Sequence, residues 1–260
     1  MTSDNAQTLE NESSEQPIVQ HLLELRSCLL KSLASILIVF IALFAFANDI
    51  YEFVALPLQK FLPESSSMIA TDVTSPFLTP FKLTLFTSLF IAMPYILYQI
   101  WSFIAPALYK KEKRLAIPLF VTSVVLFYLG IAFAYYVVFP LVFSFFTSVG
   151  PESITLMTDI SQYLTFVMKL FFAFGAAFEI PVATILLIAS GVISPTNLAQ
   201  KRPYVIVTCF VLGMFLTPPD IISQLLLAIP MWGLFELGLF FGKAFVPKEA
   251  DFNSEDDNNI

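Results

Sequence analysis

The sequence predicts an all-α protein that crosses a membrane six times, and its composition and the length of its apolar runs carry that prediction. Hydrophobic residues make up 57% of the 260 residues and charged residues only 13%, whereas soluble domains have about 45–50% and about 25%. The mean hydropathy is +0.80. Because backbone groups in lipid must be hydrogen-bonded within their own segment, each long apolar run is predicted to be a helix.

A helix needs about 20 apolar residues to cross a bilayer; the first of the first three apolar runs is somewhat shorter than this, and the second and third exceed it. They lie at about residues 32–47, 83–104 and 115–139. Lys31 and Asn48 bound the first run, Pro80 precedes the second, and a basic segment at 110–114 precedes the third.

The last three apolar runs lie at about residues 163–189, 204–216 and 221–241. Gly191 and Pro195 end the fourth, and the sixth contains Pro230 and ends at Lys243. The fifth covers only about 20 Å, so it either thins the bilayer locally or is shielded by its neighbours. Alternatively, Arg202 and Tyr204 snorkel and extend it.

The net charge of −7 arises mainly in two acidic tails. Nine of the 20 acidic residues lie near the ends of the chain, which leaves 11 acidic against 13 basic residues and a charge of about +2 for the rest. We predict disordered acidic tails at residues 1–20 and 244–260 around a membrane domain at 21–243. The first span is expected to act as an uncleaved insertion signal, and Cys28 and Cys209 imply no disulfide framework.

Basic residues in short loops predict that both termini are cytoplasmic. Ten of the 13 bases then lie on the inner side: Arg26, Lys31, Lys110, Lys111, Lys113, Arg114, Lys201, Arg202, Lys243 and Lys248. Only Lys60 and Lys82 lie on the outer side. The predicted outer segments are a long loop at 48–81, a second at 148–162 and a tight turn at Pro218-Pro219.

The inventory of catalytic groups is thin. A single histidine, His21, excludes a histidine-based metal cluster or a serine-type triad within this chain. The eight glycines do not form a nucleotide-binding loop, and no span carries two aspartates. The sequence therefore predicts no enzyme and no cofactor.

A few polar groups lie at costly depths. Glu179 in the fourth span is expected to be protonated or to face a polar cavity, and a functional role is favoured for it. Lys169 lies about 15 Å away along that helix, and snorkelling is its favoured role. Glu236 near Lys243 is as readily an interfacial charge as a functional group. Structural hydrogen bonds are expected from Gln99, Thr208 and Gln224.

Two carboxylates, Glu24 and Glu112, lie among bases at the predicted inner surface. They either balance their neighbours, which contributes at most about 1 kcal/mol, or form a docking surface for a cationic ligand. A carboxylate matches a guanidinium through two parallel hydrogen bonds. Spacing alone favours the first alternative.

Seven sequence blocks carry a family resemblance. They are HLLELR (21–26), PL (57–58), SPF (75–77), YQIWSFIAPALY (98–109), FGAAFEIP (174–181), KRPY (201–204) and LTPPD (216–220). Glu112 and Arg114 follow the fourth block. In order and spacing these blocks resemble the TatC family, the multispanning receptor subunits of the twin-arginine protein translocase. Many members carry a second basic residue two positions after Arg26, where this chain has Cys28.

The resemblance implies a curved six-helix bundle with short fifth and sixth spans, in the bacterial cytoplasmic membrane. It implies recognition of the twin-arginine signal peptide of folded precursors, assembly with the single-span partners TatA and TatB, several copies of the chain in one complex, and export driven by the proton-motive force. Membrane lipid is the remaining expected contact, and no nucleic-acid partner is implied.

The resemblance also assigns roles to residues. Glu24 and Glu112 match the carboxylates that receive the arginines of the signal, with Arg26 in the same motif, and Phe103 matches a residue tied to that site. Glu179 matches an acidic group inside the concave face that contacts partners. Pro57 and Asp220 match outer positions linked to function.

Two other classes fit the residues without the resemblance. A secondary transporter would also have six spans and an acidic group at membrane depth, but it predicts an inverted repeat, and the sequence shows none. A structural scaffold is the third alternative, which an absence of signal-peptide binding would favour.

Overall fold

The structure, a computed structural model, describes residues 4–59, 72–104, 113–142, 144, 159–216 and 221–244. Its elements over these residues are all helices. They are α1 (Asp4–Phe44), α2 (Ala47–Gln59), α3 (Ser75–Ile104), α4 (Lys113–Phe133), α5 (Ile160–Ala177), α6 (Ile180–Ala189), α7 (Pro195–Gln200), α8 (Arg202–Leu216) and α9 (Ile221–Lys243). A π-helical turn at Ala134–Val138 continues α4 to residue 142.

Five segments are long and apolar enough to cross a membrane: His21–Phe44, Ser75–Ile104, Ile117–Val142, Ile160–Ala189 and Gln224–Lys243. Helix α8 is a shorter apolar helix of 15 residues, which corresponds to about 22 Å. The predicted all-α membrane fold is confirmed. A sixth crossing formed by α8 stays a prediction.

The structure describes most of the predicted N-terminal tail but almost none of the predicted C-terminal tail. Helix α1 begins at Asp4, so its backbone runs through most of the segment predicted to be a disordered tail. Glu, Gln, Leu and Ala are good helix formers that let a helix extend from an adjoining span. The division into two tails and a membrane domain stays a prediction, and residues 245–260 lie outside the described residues.

The predicted outer loop at 48–81 is helical at both of its ends. Helix α2 begins at Ala47, and α3 begins at Ser75. The side chains of Ile50, Tyr51 and Val54 recur at helical spacing and pack against the main core. These two segments are therefore helical, and their position on the outer side stays a prediction.

The predicted fourth span is one apolar run but two helices. Helix α5 ends at Ala177 and α6 begins at Ile180, with Phe178 and Glu179 between them. Pro181 is at the N-terminal turn of α6, and it has no N–H to bond to the preceding turn. Proline is a common cause of such breaks in membrane helices.

The lengths of the last two spans bear on the family resemblance. Helix α8 is short, as expected, but α9 has 23 residues and corresponds to about 34 Å. Of the five candidate spans, Gln224–Lys243 in α9 is the shortest, with 20 residues, and the expectation of a short sixth span stays a prediction.

The helices pack mainly onto neighbours in an open series. The principal contacts run from α1 to α3, α3 to α4, α4 to α5, and from α6 and α8 to α9. Helix α1 presents a narrow partly buried stripe that includes Ser32, Ser35, Val39 and Leu43, whereas Leu33 and Leu37 are exposed. Lipid chains are as apolar as leucine side chains, so the hydrophobic effect does not drive these helices together in a membrane. Close van der Waals packing between the helices stabilises the bundle instead.

The main core lies where α5 and α9 meet the continuation of α4. Fully buried side chains there include Phe139, Leu164, Phe174, Leu227 and Met231. A side chain at Gly130 would place Cβ 2.5 Å from the carbonyl oxygen of Phe174. Glycine is therefore what allows α4 to approach α5.

Candidate functional site

The HLLELR motif of α1 lies against the end of α3. The His21 imidazole stacks on the Phe103 ring, with 4.2 Å between the ring centroids and 22° between the planes. Nδ1 of His21 lies 3.9 Å from Oε2 of Glu24. The structure thus brings Glu24 and Phe103, two of the predicted site residues, to one end of the α1–α3 pair.

Glu24 is open to a ligand. Its side chain is 48% exposed and that of His21 is 56% exposed, and Arg26, two residues further along α1, is also exposed. Glu112, the second predicted carboxylate, lies outside the described residues. A half-exposed carboxylate keeps lone pairs available for incoming donors.

A second candidate site surrounds Glu179. The hydroxyl of Ser123 in α4 donates a hydrogen bond to Oε2 of Glu179, and Ser123 is only 1% exposed. Oε1 of Glu179 is buried and has no hydrogen-bond partner among the described residues. An unsatisfied polar atom at this depth is costly, so it marks a place where a donor from outside is favourable.

The break between α5 and α6 positions this carboxyl group. The Glu179 N–H donates to the carbonyl of Ala176, three residues earlier, so the turn here is tighter than the four-residue turn of an α-helix. The carbonyl of Glu179 accepts from the N–H of Ala183. Val182, one turn on, packs with Trp101 of α3 and Leu119 of α4. The start of α6 is therefore fixed against α3 and α4, with Glu179 directed at Ser123.

Glu236, which the sequence left open between two roles, forms an ion pair. The Arg202 guanidinium donates from Nε to Oε1 at 2.7 Å and from Nη2 to Oε2 at 2.8 Å. The pair joins the first residue of α8 to α9. A bidentate geometry of this kind fixes both position and orientation.

Two further polar side chains of the spans form hydrogen bonds. Gln224 Nε2 donates to the Phe210 carbonyl at 2.7 Å and so links α9 to α8. The Thr208 hydroxyl donates within its own helix, to the Tyr204 carbonyl. Gln99 is buried, and Lys169 is exposed on α5.

The two predicted outer positions are Pro57 and Asp220. Pro57 lies in α2, and Asp220 lies outside the described residues. Their functional roles stay predictions.

Sequence reasoning gave no role in either site to His21, and it did not single out Ser123. One feature of the sequence could have identified Ser123, namely that it is a hydroxyl residue within an apolar span. A buried carboxyl group elsewhere in the chain needs such a hydrogen-bond donor. No local signal pairs it with Glu179, because the two are 56 positions apart. Within the described residues, no group of three or more His, Cys, Asp or Glu is placed to hold a metal ion.

Together, the apolar helices, the half-exposed carboxyl at one end and the buried carboxyl at membrane depth define a polytopic membrane protein. Comparison with known proteins places it more closely. A family model described as "Sec-independent protein translocase protein (TatC)" matches residues 20–230. The chain belongs to the TatC family.

Relatives and solved structures agree with that assignment. The chain is 62% identical to a Sec-independent protein translocase protein TatC of Azotobacter chroococcum mcd 1, over 93% of this chain and 94% of the relative. It is 57% identical to the protein of that name in Escherichia coli (strain K12), over 90% of each chain. A crystal structure titled "Twin Arginine Translocase Receptor- TatC" superposes with a TM-score of 0.79 at 42% identity, covering 86% of this chain and 99% of the other.

Membership confirms several predictions at once. The chain is a multi-span component of a protein translocase in the bacterial inner membrane. The family is a membrane component of protein transport, so the chain is not an enzyme. It is part of the Tat complex.

Proposed function

We propose that this chain is the signal receptor of its translocase and that it binds the twin-arginine signal peptide of folded precursors at the cytoplasmic face. Glu24 and Glu112 receive the two arginines, beside Phe103 and Arg26. The observation that carries the proposal is the meeting of α1 and α3 at the His21–Phe103 stack, which leaves the Glu24 carboxylate half exposed.

Arginine suits such a site better than lysine. The planar guanidinium offers two parallel donors to one carboxylate, whereas the ammonium of lysine acts as a point charge. Each charge-assisted hydrogen bond contributes about 1.5–3 kcal/mol. Replacing the signal's Arg-Arg by Lys-Lys therefore removes the fork that the carboxylates match.

Glu179 serves a different step, the contact with the single-span partners TatA and TatB. Its Oε1 atom is buried without a hydrogen-bond partner in the described residues. A polar group of a partner helix that must lie at membrane depth would gain a bond there, since the alternative in hydrocarbon is an unsatisfied group.

The wider assembly follows the family pattern. Several copies of the chain work in one complex with TatA and TatB, Pro57 and Asp220 act on the outer side, and the proton-motive force drives export. The short helix α8, with only 15 residues, favours local thinning of the bilayer along the route.

The receptor role is tested by crosslinking. Glu24→Ala combined with Glu112→Ala is expected to abolish crosslinking to a twin-arginine signal peptide in membranes, because both carboxylates are removed. Glu52→Ala, at an exposed acid on α2, is the matched control and should crosslink as the unmodified chain does. Unchanged crosslinking of the double variant would overturn the receptor assignment.

The partner role has a separate test. Glu179→Leu should lower export and the amounts of TatA and TatB that copurify with the chain, because leucine offers no acceptor at that depth. Normal values of both would leave Glu179 with a structural role only.

A further inference from the structure

We infer that His21 is a positioning residue of the signal-binding site, and that its ring holds the Glu24 carboxylate in place against the end of α3. This inference rests on the proposed receptor function. His21 is the single histidine of the chain, and no chemistry so far considered uses it.

The ring stack is the contact that carries the inference. Its 4.2 Å centroid separation and 22° interplanar angle are those of two nearly parallel rings in direct contact. His21 and Phe103 are both at the same end of the α1–α3 pair, and Phe103 is the last residue but one of α3. The stack thus fixes the first turn of the membrane domain against the point where α3 ends.

Glu24 lies one helical turn after His21 on the same face of α1. Between Nδ1 of His21 and Oε2 of Glu24 the distance is 3.9 Å, which is longer than a hydrogen bond. The imidazole therefore limits where the carboxylate can lie without occupying its lone pairs. Those lone pairs remain available to a guanidinium.

Positioning of this kind matters more for arginine than for lysine. Two parallel hydrogen bonds require a fixed carboxylate plane, whereas an ammonium accepts a wide range of approaches. Loss of the stack should therefore weaken binding of an Arg-Arg signal more than binding of a Lys-Lys signal.

The experiment compares three substitutions at His21 in the full chain, reconstituted in lipid nanodiscs. Binding of synthetic Arg-Arg and Lys-Lys signal peptides is measured for each. His21→Ala should weaken Arg-Arg binding about three- to tenfold, the usual effect of an aromatic pair, and lower the Arg-Arg to Lys-Lys ratio. His21→Phe keeps a ring and should retain both values, and His21→Asn, which keeps a polar group without a ring, should behave as His21→Ala.

Controls separate positioning from folding. Ser27→Ala, at an exposed site on α1, should bind as the unmodified chain does. Phe103→Leu removes the other ring, so adding His21→Ala to it should cause little further loss. Additive losses, a His21→Ala variant with unchanged binding and ratio, or a His21→Phe variant that falls as far as His21→Ala would each overturn the inference.

The same assay distinguishes this inference from the function on which it rests. If the Glu24→Ala and Glu112→Ala double variant binds the Arg-Arg peptide normally, the receptor assignment fails and the inference fails with it. If the double variant loses binding while His21→Ala does not, only the role of His21 fails.

Discussion

At Glu179, one carboxyl oxygen accepts from the Ser123 hydroxyl, and the other is buried without a hydrogen-bond partner in the described residues. The buried carboxyl is thus half satisfied, and the loss of its bond to Ser123 would leave it without a partner in the described residues, at the full desolvation cost of a buried polar group. Ser123 is 1% exposed, so water does not readily replace it.

We therefore expect Ser123→Ala to destabilise the protein by about 1–3 kcal/mol, the usual cost of leaving a buried polar group unpaired. Thermal unfolding in detergent measures the effect. Thr122→Ala is the matched control, because the neighbouring Thr122 hydroxyl is exposed and bonds within its own helix. Equal unfolding temperatures for the two variants would contradict a stabilising bond from Ser123.

Sequence reasoning found the individual acidic residues of both sites but not their partners. Glu179 was conspicuous because a carboxyl in an apolar run is costly wherever the fold places it. Ser123 and His21 owe their roles to contacts with side chains distant in the sequence. Ser123 bonds to Glu179, and His21 stacks on Phe103. Such pairings depend on how helices pack, and a hydropathy pattern does not contain that information.

Helices α8 and α9 form a hairpin that is joined at two levels. The Arg202–Glu236 pair joins them at the start of α8, and the bond from Gln224 to the Phe210 carbonyl joins them further along. The side chain of Arg202 is 46% exposed and that of Glu236 is 28% exposed. Because both side chains are partly exposed, screening weakens the attraction between the two charges.

Reversing either charge of this pair should lower the unfolding temperature, because it places two like charges in contact. Exchanging both, as Arg202→Glu with Glu236→Arg, should recover part of the loss, and a double-mutant cycle measures the coupling. A double variant no more stable than the sum of its singles predicts would show that the pair contributes nothing.

Helix α9 packs closely onto α6 through Gly238. A Cβ atom there would lie 2.7 Å from Cα of Pro181 and 2.9 Å from Cβ of Thr184. Gly238→Ala should therefore destabilise the protein by about 1–3 kcal/mol through overpacking.

Gly233→Ala is the control on the same helix, because nothing lies within 4 Å of a Cβ atom there. It should be neutral or stabilise the helix by up to about 1 kcal/mol. Thermal unfolding of both variants should give shifts of different sign or size, and equal shifts would contradict close packing at Gly238.

The elements themselves were predicted with mixed success, for physical reasons. Long apolar runs identified the spans, because length and hydropathy are local properties. The pattern missed α2, which lies outside the apolar runs, and it read α5 and α6 as one helix although Pro181 stood within the run. It correctly predicted one helix through Pro230 in the sixth run, where neighbouring groups can satisfy the backbone groups that a proline frees in a membrane helix.

At the scale of the whole molecule, the distribution of basic residues predicts one orientation. With both termini cytoplasmic, ten of the 13 bases lie on the inner side. Alkaline phosphatase fused after residue 65 should be active, and the same enzyme fused after residue 113 should be silent. The reverse pattern of activity would contradict this orientation.

The open series of helix contacts has a consequence for how the protein is made. Neighbouring spans such as α1 with α3 and α4 with α5 can pack as each leaves the ribosome, because their contacts are with what has just been synthesised. Helix α9 follows the other described helices in the chain, yet it contacts α5, α6 and α7 and supplies Leu227 and Met231 to the main core. Until it inserts, the faces of α5 and α6 that receive α9 lack this partner, so the insertion of α9 is the step that completes the core.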